Sequence, residues 1–189
     1  MTDAERLLAL ARATPWFMQA LAQVRALRLR AWCVGAGAVR NMVWDALHGH
    51  ATPSRLADID VAWFDADDIS PERDAALQRQ LRGAAPDTPW EVTNQAGVHL
   101  WFERHFGHAV APLRSLDEAV ASWPEFATAV GLRLDDDDRL HVIAPHGLDD
   151  LFAMVVRRNP VRVSVETYRE RVASKRYAQR WPRVTVVDC

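Results

Sequence analysis

Apolar residues fall at two different spacings along this chain, and the change from one to the other marks out its elements. Over residues 3 to 12 and 15 to 29 they recur every three or four positions: Leu7, Leu8 and Ala11, then Phe17, Leu21, Val24 and Leu27. That spacing lines one face of a helix. Thr14-Pro15 adds an N-cap followed by proline at the first helical position. "AWCVGAG" is an apolar run ending in a glycine turn, which predicts a buried strand. "AVRNMVWDALHGH" returns to helical spacing, with Val39, Val43 and Leu47 on one stripe and Gly49 near its end. "ATPSRLA" reads as a loop and "DIDVAWF" as a second strand. "SPERDAALQRQLRG" reads as a short helix opened by Ser70-Pro71 and stopped by glycine.

The second half changes character. "WEVTNQAGVHLWF" begins as a strand over Trp90 to Thr93 and continues as helix or strand. Ser115 to Trp123 predicts a helix with a Ser115–Glu118 capping box. "TAVGLRL" and "RLHVIAP" predict a hairpin whose tip is the acidic run Asp135 to Asp138, held in water. "HGLDDLFAMVV" is a short helix, Ser164 to Arg180 a long polar one, and "WPRVTVV" an extended end. Helices and strands alternate early and hairpins follow, so the class is α+β or mixed α/β, and we take α+β.

Composition narrows this further. At 189 residues, nearly half of them apolar and eight of them tryptophan, the chain predicts one domain with a substantial core. We divide it into N-terminal helices (1–29), a catalytic core (30–155) and a basic C-terminal helix and tail (156–189). The net charge of −2 gives no general argument for nucleic acid. The charge is unevenly spread: from Val155 to Cys189 nine basic residues stand against three acidic ones. That end is either a surface for an anionic ligand or a solvated helix. Two cysteines, Cys33 and Cys189, do not make a disulfide framework and suit a reducing, cytoplasmic setting. "MTDAERLLALARATPWF" reads as neither a signal peptide nor a membrane span, so no membrane partner is expected. Lys175 is the one lysine among many arginines.

The candidate chemistry lies in two short stretches. In "ADIDVAWFD", Asp58 and Asp60 point to the same face of a strand, roughly 7 Å apart. Two carboxylates so placed repel unless a positive group joins them, and a hard divalent cation is the natural one. In "WCVGAGAVRN", Gly35 and Gly37 permit positive φ and close backbone approach just before a helix. A glycine turn that opens a helix offers free amides and a positive dipole end to a phosphate, and Arg40 on the first turn adds a charged fork. Either stretch alone is weak. Together, at strand ends and separated by one helix, they point to Mg²⁺ and phosphate.

"VGAGAVRNMVWDALHG" followed by "ADIDVAWFD" resembles the DNA polymerase β-like nucleotidyltransferase superfamily, and "GAVR" resembles the head of CCA-adding enzymes and bacterial poly(A) polymerases. "WEVTNQAGVHLW", "WPEFATAVGLRL", "HVIAPHGLDDLF" and "RYAQRWPRVTV" extend this to a small bacterial nucleotidyltransferase-like family, over about Trp32 to Val186. The resemblance implies that Gly35 and Gly37 cradle the NTP phosphates, although Gly-Ala-Gly departs from the usual adjacent pair. It implies that Asp58 and Asp60 hold two Mg²⁺ ions with a third carboxylate. Glu91 is the best candidate for that acid, with Asp65 and Asp149 as poorer substitutes. The reaction implied is transfer of a nucleoside monophosphate to a hydroxyl on a protein, an RNA end or a small molecule. An RNA-end enzyme is the second reading, although the chain is little more than a catalytic head. A module that binds Mg²⁺-nucleotide without turnover is the third.

Other residues carry weaker expectations. Asn94 and Gln95 either read a base or ribose edge or cap the next element. Lys175 and Arg176 either close over the triphosphate or face solvent. Asp149 and Asp150 complement a helix dipole. His48, His50, His105 and His108 lack the partners for a structural zinc site, and the tryptophans are mainly packing.

Overall fold

The computed structural model describes residues 1–188; Cys189, the second cysteine noted above, lies outside them. Two helices open the chain, α1 (Asp3–Arg12) and α2 (Pro15–Arg25). Next come β1 (Trp32–Gly35), α3 (Gly37–His48), β2 (Ile59–Trp63), α4 (Pro71–Ala84) and β3 (Trp90–Asn94). A 3₁₀ turn at Gln95–Gly97 leads into α5 (His99–Phe106) and α6 (Leu116–Ala121). The hairpin of β4 (Gly131–Leu134) and β5 (Leu140–Ile143) precedes α7 (Asp149–Ala153) and β6 (Val155–Val156). The end of the chain forms α8 (Val165–Lys175), α9 (Tyr177–Arg180) and β7 (Thr185–Val186).

Five strands make one mixed sheet in the order β3-β2-β1-β4-β5, and β6 pairs with β7 separately. In the main sheet only β2 and β3 run parallel, joined by α4 as the crossover; its other pairs are antiparallel. The register places Val34 beside Val61 and Leu132, and Val61 beside Val92. Because side chains alternate, these residues share one face. That face packs into a core that also takes Phe17 and Leu21 of α2 and Trp44 of α3. Tyr168, Tyr177 and Trp181 belong to the same core, so the basic tail is built into the fold. The opposite face carries Cys33, Asp60, Ala62 and Glu91 in register. Leu116 and Val120 of α6 cover only the Cys33 and Ala62 end of it, which leaves the carboxylates in the open part of that face.

Four elements differ from their sequence patterns. The second helix stops at Arg25, short of residue 29. The long helix expected over Ser164 to Arg180 breaks at Arg176, which takes a left-handed conformation (φ 49°, ψ 49°). The break turns Tyr177 and Trp181 inward against Trp44, with ring centroids at 5.8 and 5.2 Å. The acidic hairpin tip is not simply solvated. Arg25 of α2 holds Asp138 at 2.6 Å and the Asp135 carbonyl at 2.8 Å, and Arg12 of α1 donates to the Asp138 carbonyl. At the start of α6, Ser115 accepts from the Glu118 amide, but Glu118 bonds back to the Arg114 amide, one residue earlier than a capping box requires. Among the described residues, no helix is long and apolar enough to cross a membrane.

Candidate active site

Asp60 and Glu91 lie side by side on the parallel strands β2 and β3. Asp58 sits just before β2. Burial and neighbouring negative charge raise two of these acids. Burial holds the Asp60 carboxyl up at about 7, and the nearby charges of Asp58 and Glu91 add to this against the opposing pull of Lys175 and Arg171. Glu91 is raised as well, first by burial and then by Asp58. Among the described residues, no three His, Cys, Asp or Glu side chains form a ready-made cage for a metal ion. The donor types do fit a hard divalent cation. Three carboxylates share one part of the sheet face, and Asp60 is short of counter-charge.

These acids open onto a cleft of about 560 Å³. Ala36, Gly37 and Arg40 from the start of α3 form one wall. The first α3 amide with a partner inside the helix is that of Arg40, which donates to the Ala36 carbonyl, so the amides of Gly37 to Val39 are open at the helix N-terminus. Arg171, Ser174 and Lys175 of α8 face them, and Arg55 and Arg180 stand at the edge.

The glycine turn works differently from the expectation. Neither Gly35 nor Gly37 has a positive φ; that conformation falls on Ala36 (φ 48°, ψ −117°). Gly35 is required by packing instead. A Cβ there would meet the Trp123 ring at 2.6 Å and the Val130 carbonyl at 2.8 Å. Gly37 has room, its nearest neighbour being Arg40 Nη2 at 3.5 Å.

Arg40 is only 4% exposed. Its guanidinium forks onto Asn41 Oδ1 at 2.8 and 3.3 Å and lies 5.2–5.7 Å from the ring centroids of Trp44, Tyr177 and Trp181. It is a charged floor to the cleft rather than a free fork. Asn94 is not brought to the cleft. It is buried and points to the core side of β3, where its amide donates to the carbonyls of Asp65 and Asp68 and its oxygen accepts from the amides of Asp65 and Ala96. It is therefore a cap and a clamp on the 65–68 loop. Gln95 instead lines a smaller pocket adjoining the acids. Lys175 lines the cleft, and Arg176, in the left-handed turn after it, is exposed and no part of the lining. Asp65 accepts from the Asp67 amide, and Asp149 starts α7; neither is in the cleft lining.

Two features of the site carry no motif in the sequence. Arg171 reaches from α8 to the wholly buried Glu125, with Nε to Oε1 at 2.9 Å and Nη2 to Oε2 at 3.3 Å. The other sits behind the loop before Asp58. Asp45 of α3 accepts from the Ser54 amide and hydroxyl and from the Trp181 indole N–H. This pins residues 50–57 and so fixes where Asp58 starts. The signal for Arg171 is its spacing of four from Lys175, one helical turn. A buried acid such as Glu125 has no signature in a single sequence.

The comparisons with known proteins bear on the family and the fold. Residues 22–186 match a family model described as nucleotidyltransferase. A solved structure described as an NMR structure revealing a CCA-adding enzyme head domain is similar over 98% of this chain and 96% of that one, at 31% identity and a TM-score of 0.82. Two structures of a tRNA-processing enzyme share the fold. One, an apo form, is 19% identical with a TM-score of 0.50, over 97% of this chain and 42% of that one. The other, a complex, is 21% identical with a TM-score of 0.51, over 88% and 42%. The chain spans less than half the length of those tRNA-processing enzymes. Among curated proteins none matches the chain. With a model match over most of its length and a head-domain relative across nearly all of it, the chain belongs to the nucleotidyltransferase family, a family of transferase enzymes.

Proposed function

We propose that the protein transfers a nucleoside monophosphate from an NTP to a hydroxyl acceptor and releases pyrophosphate, with Mg²⁺ held by Asp58, Asp60 and Glu91. One observation carries the reading: Asp60 and Glu91 stand in register, crowded by like charge, in a cleft whose other walls are a helix N-terminus and five basic side chains. A triphosphate satisfies all of these at once. Its phosphates meet the Gly37 to Val39 amides at the α3 dipole end and the cations of Arg55, Lys175 and Arg180.

Each group of this chain then has a task. Bound divalent cations would neutralise the phosphates and lower the pKa of the acceptor hydroxyl. Arg171, anchored by Glu125, keeps α8 and Lys175 at a fixed distance from the carboxylates. Glu91, the most exposed of the three acids, takes the acceptor proton. The acceptor oxygen forms its bond to the α-phosphorus as the bond from that phosphorus to the bridging oxygen breaks, and pyrophosphate leaves. Position and charge supply the catalysis.

The test is NTP binding by calorimetry with and without Mg²⁺, on the wild type and on the Asp58→Asn/Asp60→Asn double variant. Mg²⁺-dependent binding that the double variant loses supports the reading. No NTP binding at millimolar concentration overturns it.

A further inference from the structure

Asp60 and Glu91 belong to two cavities, not one. Beyond them, on the side away from the arginine-lined cleft, lies a second pocket of about 230 Å³. The two share Asp60, Glu91, Pro124 and Arg171 and otherwise differ in chemistry. The second is walled by Trp101, Phe102 and Phe106 of α5 together with Trp123, Val98 and Val163. Its aromatic rim stays open: Trp101 is 38% exposed and Phe106 42%.

Inside this apolar wall stands a charged side chain. Arg162 lines the pocket, and its Cζ lies 5.6 Å from the Phe102 ring centroid. One arm, Nη2, donates to the Ala111 carbonyl at 2.5 Å. The other, Nη1, is buried and makes no hydrogen bond in the structure. The guanidinium nevertheless sets a cation in the aromatic part of the pocket, beside Phe102. Planar rings around a guanidinium select a flat body that carries a carbonyl or anionic group.

Resting on the transferase reading above, we propose that this second pocket holds the acceptor, a small hydroxyl-bearing aromatic compound with a carboxylate or carbonyl substituent. The substituent pairs with the Arg162 guanidinium, the ring lies among Trp101, Phe102 and Trp123, and the hydroxyl meets Glu91 at the junction of the two cavities. Two observations set this against an RNA strand. The volume accommodates a ring system rather than a run of nucleotides. The ionisable lining is balanced, with Asp60 and Glu91 against Arg162 and Arg171, and offers no basic track for a phosphate chain.

The test uses 4-hydroxybenzoate and 4-(hydroxymethyl)benzoate as probes on the full chain, followed by NMR chemical shifts and tryptophan emission. Variants are Trp101→Ala, at an exposed position that tolerates truncation, and Arg162→Met. NTP binding is measured in parallel by calorimetry. The expected result is probe binding that weakens about tenfold in either variant while NTP binding stays within about twofold. NTP binding without binding of either probe overturns the acceptor proposal and leaves the transferase reading standing. Loss of NTP binding in Trp101→Ala or Arg162→Met overturns it in another way, by giving the pocket to the donor base. Binding of a single-stranded RNA oligonucleotide that these variants abolish overturns it in favour of an RNA end. Probe binding with no NTP binding to the wild type overturns the transferase reading, and the acceptor assignment falls with it.

Discussion

Arg171 closes both arms of its fork on Glu125, a carboxylate with no exposure of its own. Thr128 Oγ1 adds a hydrogen bond at 2.8 Å and the Tyr177 hydroxyl one at 3.4 Å. Burial pushes the Glu125 carboxyl up, yet Arg171 and these donors outweigh it and leave the group below its ordinary value. The pair ties α8, with Lys175 at its end, to the segment that follows Trp123. Glu125→Gln would leave the guanidinium half-buried without its counter-charge. We expect a loss of roughly 3 kcal/mol, at the lower end for broken buried pairs because the Arg171 side chain is 33% exposed. Urea unfolding checks this as a fall in the midpoint at unchanged slope.

The metal-free protein is expected to grow more stable as the pH falls from 8 toward 5. Asp60 has its folded pKa raised to about 7 from an ordinary 3.8. Between those values the folded chain binds a proton that the unfolded chain releases, so stability falls as pH rises through that window. Above pH 7 the folded state carries the full cost of the buried charge. Asp60→Asn flattens the slope and stabilises the protein at pH 8. Unfolding curves at pH 5, 6, 7 and 8 for both proteins decide it; a wild type with the same slope as the variant refutes it.

Mg²⁺ with NTP is expected to raise the melting temperature of the wild type and to leave Asp58→Asn/Asp60→Asn unmoved. Ligand at a hundred times its Kd contributes about 2.7 kcal/mol to the folded state. Thermal scans with Mg²⁺ alone, NTP alone and both together separate the two contributions.

The two glycines of the turn are expected to fail differently. Gly35→Ala drives a methyl into the Trp123 ring and the Val130 carbonyl and costs about 1–3 kcal/mol of stability. Gly37→Ala meets only ordinary contacts at the first position of α3, so it keeps or slightly raises stability. If the open amides hold phosphate, Gly37→Ala weakens NTP binding without lowering the unfolding midpoint.

Much of this site is legible in the amino-acid sequence. The strand, turn, helix and strand from Trp32 to Trp63 can be read there because their apolar spacing, glycines and adjacent acids are local signals. Glu91 is legible as a lone acid between buried neighbours, and the register with Asp60 shows where such an acid goes. Three features are not legible, each for a reason of distance or context. The break at Arg176 has no glycine or asparagine to announce it, since tertiary packing of Tyr177 and Trp181 sets it. Asn94 points away from the cleft because strand alternation, fixed by Trp90 and Val92, leaves it on the core side. Arg171 and Glu125 lie 46 residues apart, beyond any periodicity.

The setting of Arg40 has an optical consequence. Its charge lies within 5.7 Å of two tryptophans, Trp44 and Trp181, neither of which has any exposed surface. Indole emission shifts with the local electric field, and burial of both rings keeps bulk solvent from blurring that response. The cleft floor therefore contains its own voltmeter. A polyanion arriving above Arg40 would change the colour and yield of these two indoles, with no label attached to the protein.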